Sequence, residues 1–348
     1  MIVRMPIRSA LVCAAVLLAV AAQAVDLWVD ISTPLVDKLT AHGEKLAFPG
    51  GCSGVVVNRL NGDVVIKVVG GGLWRSSDKG ATWARIDNNT IGGRDETGWA
   101  TNVDQNDPRR IADFSLDGLS GWTVDGTTWK SFTTNGRNWD YGSIDWATPV
   151  PQTIIVAKHE TSPAGEVDLS TDGGVTWKKL SVYLGDNSRT IGMVGALDAT
   201  TLMYCAGKGI LRSTDMGETW TQVSEINAQT RIPVLFKGVH YLGTDAGLLV
   251  SKDNGATWQV QGSAVSIRLG PFFGADESNM VVVGPKGIFR TTDAGKTWTK
   301  AAGLKPDEKG YSFGTNWFGC YSWDPVHNTL YASAMGNPAF KLQLGQEG

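Results

Sequence analysis

The sequence has 348 residues, of which 42% are hydrophobic, and it contains 43 glycines and 14 tryptophans. This apolar content can form a core and excludes a disordered chain, while glycine well above its usual share of ~7% is typical of turn-rich β structure. Lysine and arginine number 31 against 34 aspartates and glutamates, a net charge of −3. That balance argues against a nucleic-acid-binding protein and a polybasic membrane protein.

Residues 1–24 have the pattern of a secretory signal peptide. Two arginines precede an apolar run over 10–20, and the small-x-small sequence at 22–24 is a cleavage signal. A membrane anchor is the competing interpretation, but the run is shorter than the ~20 residues that cross a bilayer. We therefore expect cleavage after Ala24, a secreted or periplasmic protein with no membrane span, and one mature domain over 25–348.

One octet with the pattern Ser/Thr-x-Asp-x-Gly-x-Thr-Trp recurs along the rest of the chain. Its intact copies end at Trp83, Trp177, Trp220, Trp258 and Trp298, and a shortened copy covers 123–129. A repeat of about 40 to 50 residues with short strands and Gly/Asp turns is typical of a β-propeller that has one four-stranded blade per repeat.

The segments around each octet supply the four strands of a blade, which we name A to D from the axis outwards. An apolar strand, a glycine turn and a second strand precede the octet, as in 63–75, so the octet is the C–D turn. The last stretch, 318–344, supplies three strands without an octet, and 27–31 matches the missing fourth. We predict an all-β fold, a seven-bladed β-propeller of four-stranded antiparallel blades closed by the N-terminal strand.

The octet is the Asp-box, or BNR, repeat, and the chain resembles the sialidase-like superfamily of Asp-box propellers over its mature length. The motif is specific for fold rather than for activity, because its chemistry is local. The Asp accepts turn N–H groups, the Gly takes a positive φ and the Trp packs between blades. We expect structural roles for the box aspartates, which are Asp78, Asp172, Asp215, Asp253 and Asp293.

The propeller topology indicates where a ligand could bind. The A–B and C–D turns share one face, the box face, and the D–A and B–C loops meet around the axis on the opposite face, the axial face. Basic residues recur in the axial-face loops: Arg94, Arg137, Arg189, Arg231 and Arg268 before strand A, and Lys158, Lys208 and Lys286 in the B–C loops. They favour an anionic ligand, an acidic saccharide or polysaccharide, since arginine binds carboxylate or sulfate with paired hydrogen bonds. A repeated structural role on the neighbouring blade is the alternative.

The same loops carry groups that could act as acid, base or nucleophile: Asp95, Glu96, Asp140, Tyr141, His159 and Glu160. A glycosidase needs two carboxyl groups that flank the bond, one of them with a raised pKa. A polysaccharide lyase needs a positive group that neutralises a uronate and a His, Tyr or Lys base. We expect Trp139 and Trp317 to be exposed on the axial face, where they could stack on sugar rings.

Two resemblances bear on activity. Sialidases carry an Arg-Ile-Pro motif in the first blade. In this chain an Arg-Ile-Pro sequence occurs at 231–233, in blade 5, and the segment 49–54 of blade 1 contains no arginine. The segment 50–57 resembles xyloglucanase-type propellers, which carry a catalytic Asp near the first glycine turn. At that place this chain has the sequence Val-Val-Gly-Gly-Gly, residues 68–72.

The expected function is a secreted carbohydrate-active enzyme, a sialidase-like glycoside hydrolase or a polysaccharide lyase. The alternative is a non-catalytic propeller that resembles photosystem II assembly factors and binds a protein or glycan partner.

Three cysteines remain after cleavage, Cys52, Cys205 and Cys320. Disulfides are stable in the oxidising compartment expected here, but the spacing fits neither a zinc site nor a redox pair. We expect small buried core residues, and a Cys52–Cys320 bond between neighbouring blades is a hypothesis. The four histidines have no metal-ligand spacing, so the sequence predicts no metal and no cofactor.

Overall fold

Each repeat of the sequence folds into a four-stranded antiparallel sheet, and seven such sheets form the ring. The structure is a computed structural model that describes residues 27–133, 138–161, 166–181, 192–308 and 310–345. The predicted signal peptide therefore lies outside the described residues, as do Arg137 and Arg189. The predicted seven-bladed propeller is confirmed.

The strands follow the blade order of the chain. Blade 1 contains β2 (Cys52–Val57), β3 (Val64–Val68), β4 (Gly72–Ser76) and β5 (Ala84–Arg85), and blade 2 contains β6 (Thr101–Val103), β7 (Ile111–Asp113), β8 (Gly121–Thr123) and β9 (Trp129–Ser131). Blade 3 contains β10 (Trp139–Ile144), β11 (Ile154–Lys158), β12 (Glu166–Ser170) and β13 (Lys178–Ser181), and blade 4 contains β14 (Met193–Ala196), β15 (Leu202–Cys205), β16 (Ile210–Ser213) and β17 (Thr221–Ser224). Blade 5 contains β18 (Val234–Phe236), β19 (Val239–Gly243), β20 (Leu248–Ser251) and β21 (Gln259–Gln261), and blade 6 contains β22 (Leu269–Phe273), β23 (Met280–Gly284), β24 (Gly287–Thr291) and β25 (Thr299–Ala302). Blade 7 contains β26 (Cys320–Asp324), β27 (Thr329–Ser333), β28 (Phe340–Gln343) and β1 (Val29–Asp30).

The N-terminal strand closes the ring as predicted. In β1, Val29 is opposite Lys341 and Asp30 is opposite Phe340, so the first strand completes the last blade. A helix that we did not predict, α1 (Thr33–Ala41), follows it. Proline in its first turn suits a helix start, and the Asp30 carboxylate accepts the N–H groups of Ser32 and Thr33 at 2.9 and 3.0 Å. Among the described residues, no helix has the length and apolarity needed to cross a membrane.

The octets form the predicted hydrogen-bonded turns. In the first copy, the Asp78 carboxylate accepts the Thr82 N–H at 2.8 Å, the Thr82 hydroxyl at 2.6 Å and the Ser76 hydroxyl at 2.7 Å. The same three contacts recur in the other four intact copies. The Thr82 hydroxyl and N–H lower the Asp78 pKa to about 2. Gly80 has φ +90°, and a Cβ there would lie 2.6 Å from Ile31. The structural role of the box aspartates is confirmed.

The three cysteines are buried, as predicted, and none is bonded to another. The hypothesised Cys52–Cys320 bond is therefore wrong for this structure. The Cys320 thiol instead contacts the strand of blade 1, with its Sγ 3.3 Å from the Val55 carbonyl oxygen and 3.4 Å from the Val55 nitrogen. Both cysteines belong to the apolar cluster that joins blades 1 and 7.

Candidate functional site on the axial face

Loops from blades 2, 3 and 5 bring Glu96, Asp140, His159 and Arg231 close enough to interact electrostatically. The register of β10 against β11 shifts between Trp139 and Tyr141, and Asp140 lies at this bulge. Bulges commonly redirect one side chain out of the sheet. The sequence analysis named all four residues, but their convergence is a result of the fold.

The Asp140 carboxyl group is the best-defined part of this cluster. It is 6% exposed, and its Oδ1 lies 2.7 Å from Nδ1 of His159. Burial raises the Asp140 pKa to about 6, His159 and Arg231 work against this rise, and the charge of Glu96 adds to it. A carboxyl group with such a pKa can hold a proton under mildly acidic conditions.

Glu96 is a second carboxyl group with a raised pKa beside Asp140. Burial is the main cause, Glu160 and Asp117 act in the same direction, and His159 and Arg94 oppose them. Glu160 itself is 84% exposed, with Oε2 3.8 Å from Nε2 of His159. The axial face thus provides two neighbouring carboxyl groups, of which Asp140, with its pKa raised to about 6, suits the role of the acid.

His159 is held by its backbone as well as by Asp140. The His159 N–H donates to the Asn138 carbonyl at 2.7 Å, and the Asn138 side-chain amide donates to the His159 carbonyl at 2.8 Å. Asn138 has φ +103°, so this pair is a specific local turn next to β10. The imidazole is therefore positioned to orient the Asp140 carboxyl group.

Arg231 crosses from blade 5 towards two tryptophans of blades 2 and 7. Its guanidinium carbon lies 5.5 Å from the ring centroids of both Trp99 and Trp317, and Nη1 donates to the Gly192 carbonyl at 3.0 Å. The two tryptophan loops are themselves joined, because the Gly98 N–H donates to the Trp317 carbonyl at 3.0 Å. Trp317 is half-buried, and the expectation that it is exposed on the axial face is therefore wrong in part. Sequence reasoning missed Trp99, although it lies in the same kind of loop as the predicted arginines.

The axial face is mixed in charge among the described residues, not basic as predicted. Three of the predicted basic groups pair with carboxylates: Arg94 with Asp117 at 3.2 Å, Lys158 with Asp168 at 3.5 Å and Arg268 with Asp245 at 2.8 Å. Lys208 and Lys286 are exposed. The pairing favours the alternative that several of these residues have a repeated structural role.

Two predicted site residues belong to the core, and the expectation that they face a ligand is wrong. Trp139 is 1% exposed, packs against Trp177 at 4.6 Å and donates through Nε1 to Asp168 at 2.9 Å. Tyr141 is also 1% exposed, and burial raises the pKa of its hydroxyl. Neither aromatic ring offers a surface to a sugar, and the phenol of Tyr141 is a poor candidate for a base.

Asp95 is a third correction, because it is buried in an ion cluster beneath the axial face. Nζ of Lys67 lies 2.8 Å from Asp95 and 2.6 Å from Asp113, and all three side chains are at most 1% exposed. Burial alone would lower the Lys67 pKa, but Asp113 and Asp95 raise it to about 12. The sequence signal was Lys67 itself, a single charge inside the apolar strand β3.

Within the described ranges, no group of three or more His, Cys, Asp or Glu side chains could hold a metal ion. The titratable and charged groups that the described residues offer at this face are the carboxyl, imidazole and guanidinium groups described above.

The chain matches no known family profile. It is 29% identical over 294 residues to a xyloglucanase of Hypocrea jecorina, covering 74% of this chain and 35% of that enzyme. It is also 29% identical over 185 residues to a xyloglucanase of a Paenibacillus species, covering 47% and 18%. An oligoxyloglucan-reducing end-specific xyloglucanase of Emericella nidulans is 26% identical over 198 residues, covering 46% and 24%. The chain thus spans about a third or less of each of these relatives.

Two solved structures are also similar to it. A GH74 enzyme of Niastella koreensis aligns with a TM-score of 0.42 at 14% identity, covering 86% of this chain and 61% of that one. An ancestral GH74 enzyme aligns with a TM-score of 0.47 at 15% identity, covering 86% and 47%.

Proposed function

We propose that this propeller is a secreted or periplasmic glycoside hydrolase that cleaves a polysaccharide at the axial face. The observation that carries the proposal is the pair of neighbouring carboxyl groups, Asp140 and Glu96, of which Asp140 is buried, contacts His159 at 2.7 Å and has its pKa raised to about 6. The similarity to enzymes named as xyloglucanases supports the same class of reaction. It also favours xyloglucan as the first substrate to test.

In this proposal, Asp140 is the general acid. Its protonated carboxyl group donates the proton to the glycosidic oxygen as the bond to the anomeric carbon breaks, and His159 orients it through the 2.7 Å contact. Glu96 is the second carboxylate, which either removes a proton from the attacking water or attacks the anomeric carbon first. Arg231 and the half-buried Trp317 form the adjacent wall, where an aromatic ring edge and a cation can contact a sugar.

The acidic saccharide predicted from the arginines is a second candidate substrate. Arg231 is the group best suited to bind its carboxylate, since it lies beside Asp140 at the centre of the axial face. The sialidase-like relationship is a proposal of the same kind, carried by the octets. The mixed charge of the axial face favours a neutral polysaccharide over both.

The test compares hydrolysis of xyloglucan, polygalacturonate and a sialylated oligosaccharide by the wild type and matched variants. We expect new reducing ends and products that have gained one water from xyloglucan. Asp140→Asn and Glu96→Gln should each lower kcat/KM by roughly 10²- to 10⁴-fold. The control is Asp37→Asn, an exposed carboxylate on α1 away from the site, which should stay within twofold of the wild type.

Each other outcome selects a different function. Unsaturated products would assign a polysaccharide lyase, and release of sialic acid would assign the sialidase-like activity. Full activity in both carboxyl variants would overturn the assigned acid and base. If no glycan is cleaved, the non-catalytic binding propeller becomes the better explanation. Export is tested separately, since the secreted protein should begin at Val25 in N-terminal sequencing.

A further inference from the structure

The loop that carries Glu96 is anchored on both sides of this residue. Asp95 and Thr97 are buried, whereas Glu96 between them is half-buried. On one side, the Asp95 carboxylate lies 2.8 Å from Nζ of Lys67 and accepts the Ser53 hydroxyl at 3.2 Å, and both of these partners belong to blade 1. On the other side, Thr97 binds blade 3. Glu96 therefore belongs to a segment that is fixed to both neighbouring blades.

The contact of Thr97 with blade 3 is made to the backbone of Asp140. The Thr97 hydroxyl donates to the Asp140 carbonyl at 2.9 Å, and this hydrogen bond is buried. Asp140 lies at the β10 bulge, where the shift in register leaves it without an opposite residue in β11. The ladder constrains a bulge residue less than its neighbours. The Thr97 hydroxyl thus helps to fix the backbone position from which the Asp140 carboxyl group extends.

The same hydroxyl also holds the loop that leads to the tryptophan wall. Oγ1 of Thr97 accepts the Trp99 N–H at 3.2 Å, so the hydroxyl both donates and accepts. Between these residues, the Gly98 N–H donates to the Trp317 carbonyl at 3.0 Å. A Cβ at Gly98 would lie 2.3 Å from the Gly319 carbonyl oxygen, so the two loops touch through their backbones. One buried side chain therefore connects the two carboxyl-bearing segments and the loop beside the wall.

We propose that Thr97 is a positioning residue that sets the separation of the Asp140 and Glu96 carboxyl groups. The inference rests on the proposed function, in which these groups are the acid and the second carboxylate. Thr97 is the next residue after Glu96 and is hydrogen-bonded to Asp140, so one residue and one hydrogen bond connect the pair. Glycoside hydrolysis requires a defined separation of the two carboxyl groups, and small misplacements of reacting groups lower the rate strongly.

Two substitutions of Thr97 separate the hydroxyl from the shape of the side chain. Thr97→Val keeps the branched shape and removes the hydroxyl. Its kcat should fall by roughly 10- to 100-fold while KM stays within about twofold, because the sugar-binding surface remains and the carboxyl groups lose their relative placement. Thr97→Ser retains the hydroxyl, and its kcat should stay within about threefold of the wild type.

Thr153→Val is the matched control for stability. Thr153 is also buried, and its hydroxyl donates to the Ala199 carbonyl of blade 4 at 2.7 Å, between two A–B turns on the box face. Both valine variants lose one buried hydroxyl-to-carbonyl bond between blades, so their melting temperatures should fall by similar amounts. Only Thr97→Val should lose kcat. An equal loss of kcat in Thr153→Val would assign Thr97 to the general stability of the ring.

A second measurement needs no activity. Nδ1 of His159 lies 2.7 Å from Oδ1 of Asp140, so the ring nitrogens of His159 report on the position of that carboxyl group. The protein is labelled with ¹⁵N-histidine, and the His159 signals are assigned by their absence in His159→Asn. We expect these signals to shift in Thr97→Val and to keep their wild-type positions in Thr97→Ser and Thr153→Val.

The results distinguish the positioning role from the proposed function. Shifted His159 signals in Thr97→Val, with no glycan hydrolysed by the wild type, would support the positioning of Asp140 and remove the proposed function. Hydrolysis by the wild type with an unchanged kcat in Thr97→Val would leave the proposed function and overturn the positioning role. Unshifted His159 signals in Thr97→Val would also overturn it, because the Asp140 carboxyl group would then not depend on the Thr97 contact.

Discussion

Replacement of Lys67 by methionine should destabilise the propeller in a way that depends on pH. The ammonium group is fully buried and lies 2.8 and 2.6 Å from the Asp95 and Asp113 carboxylates. Methionine has a similar length and no charge, so the substitution leaves two buried carboxyl groups without their common partner. Loss of one partner of a buried ion pair typically costs about 3–5 kcal/mol, and we expect this range at pH 8.

The pH dependence follows from the carboxyl groups that remain. Burial and the charge of Asp95 raise the Asp113 pKa from 3.8 to about 7 even with Lys67 present. Lys67 lowers the Asp113 pKa, so loss of the ammonium group raises that pKa further. A folded-state pKa above the unfolded value means that stability decreases as pH rises between the two values, by up to about 1.4 kcal/mol per unit for each carboxyl group. The defect of Lys67→Met should therefore be clearly smaller at pH 5 than at pH 8.

Urea unfolding followed by tryptophan fluorescence at the two pH values measures this difference. Ile66→Met, a fully buried neighbour on the same strand, is the control for packing and should show the same loss at both pH values. Asp113→Asn should cost less than Asp95→Asn, since Asp113 already binds a proton near neutral pH. An equal loss for Lys67→Met at pH 5 and pH 8 would refute the reasoning, because a pure packing defect would then explain it.

Three further predictions concern the axial face and the thiols. His159→Asn removes a group that lowers the Asp140 pKa. The alkaline limb of the plot of kcat/KM against pH should therefore move to higher pH. An unchanged plot would argue against Asp140 as the acid. Arg231→Met should raise KM for the polysaccharide more than it lowers kcat, because the guanidinium contributes a wall of the site; a loss confined to the melting temperature would assign it to ring closure alone. The three cysteines should resist a thiol reagent in the native protein and react in urea, since burial raises their pKa values; rapid native labelling counted by mass spectrometry would contradict their burial.

Much of the fold could be predicted from the sequence because the octet is a local structure. An Asp, a Gly and a Thr at fixed spacing form one turn through contacts within eight residues, so each copy marks the C–D corner of a blade wherever it occurs. The N-terminal strand could be predicted as well, since the last blade lacked only one strand. Helix α1 was missed because it belongs to no repeat.

The candidate site was less predictable because neighbours in sequence face different surroundings. Asp95 and Glu96 are adjacent in one loop, yet Asp95 pairs with buried Lys67 and Glu96 interacts with His159 of the next blade. Likewise, Asp140 reaches the axial face between two buried aromatic residues of the same strand. Whether each side chain is buried or reaches the axial face depends on the bulge in β10 and on contacts between blades. No local pattern in the sequence encodes these features.

The axial face and the box face are separated by the way in which the axis is closed. Arg231 spans the axis on the axial face, Asn106 spans it on the box face, and a cavity of about 90 Å³ lined by residues such as Val55, Trp99 and Ile232 lies on the axis. A mostly apolar cavity of this size admits no sugar ring. A saccharide bound at the axial face is therefore confined to that face of the ring.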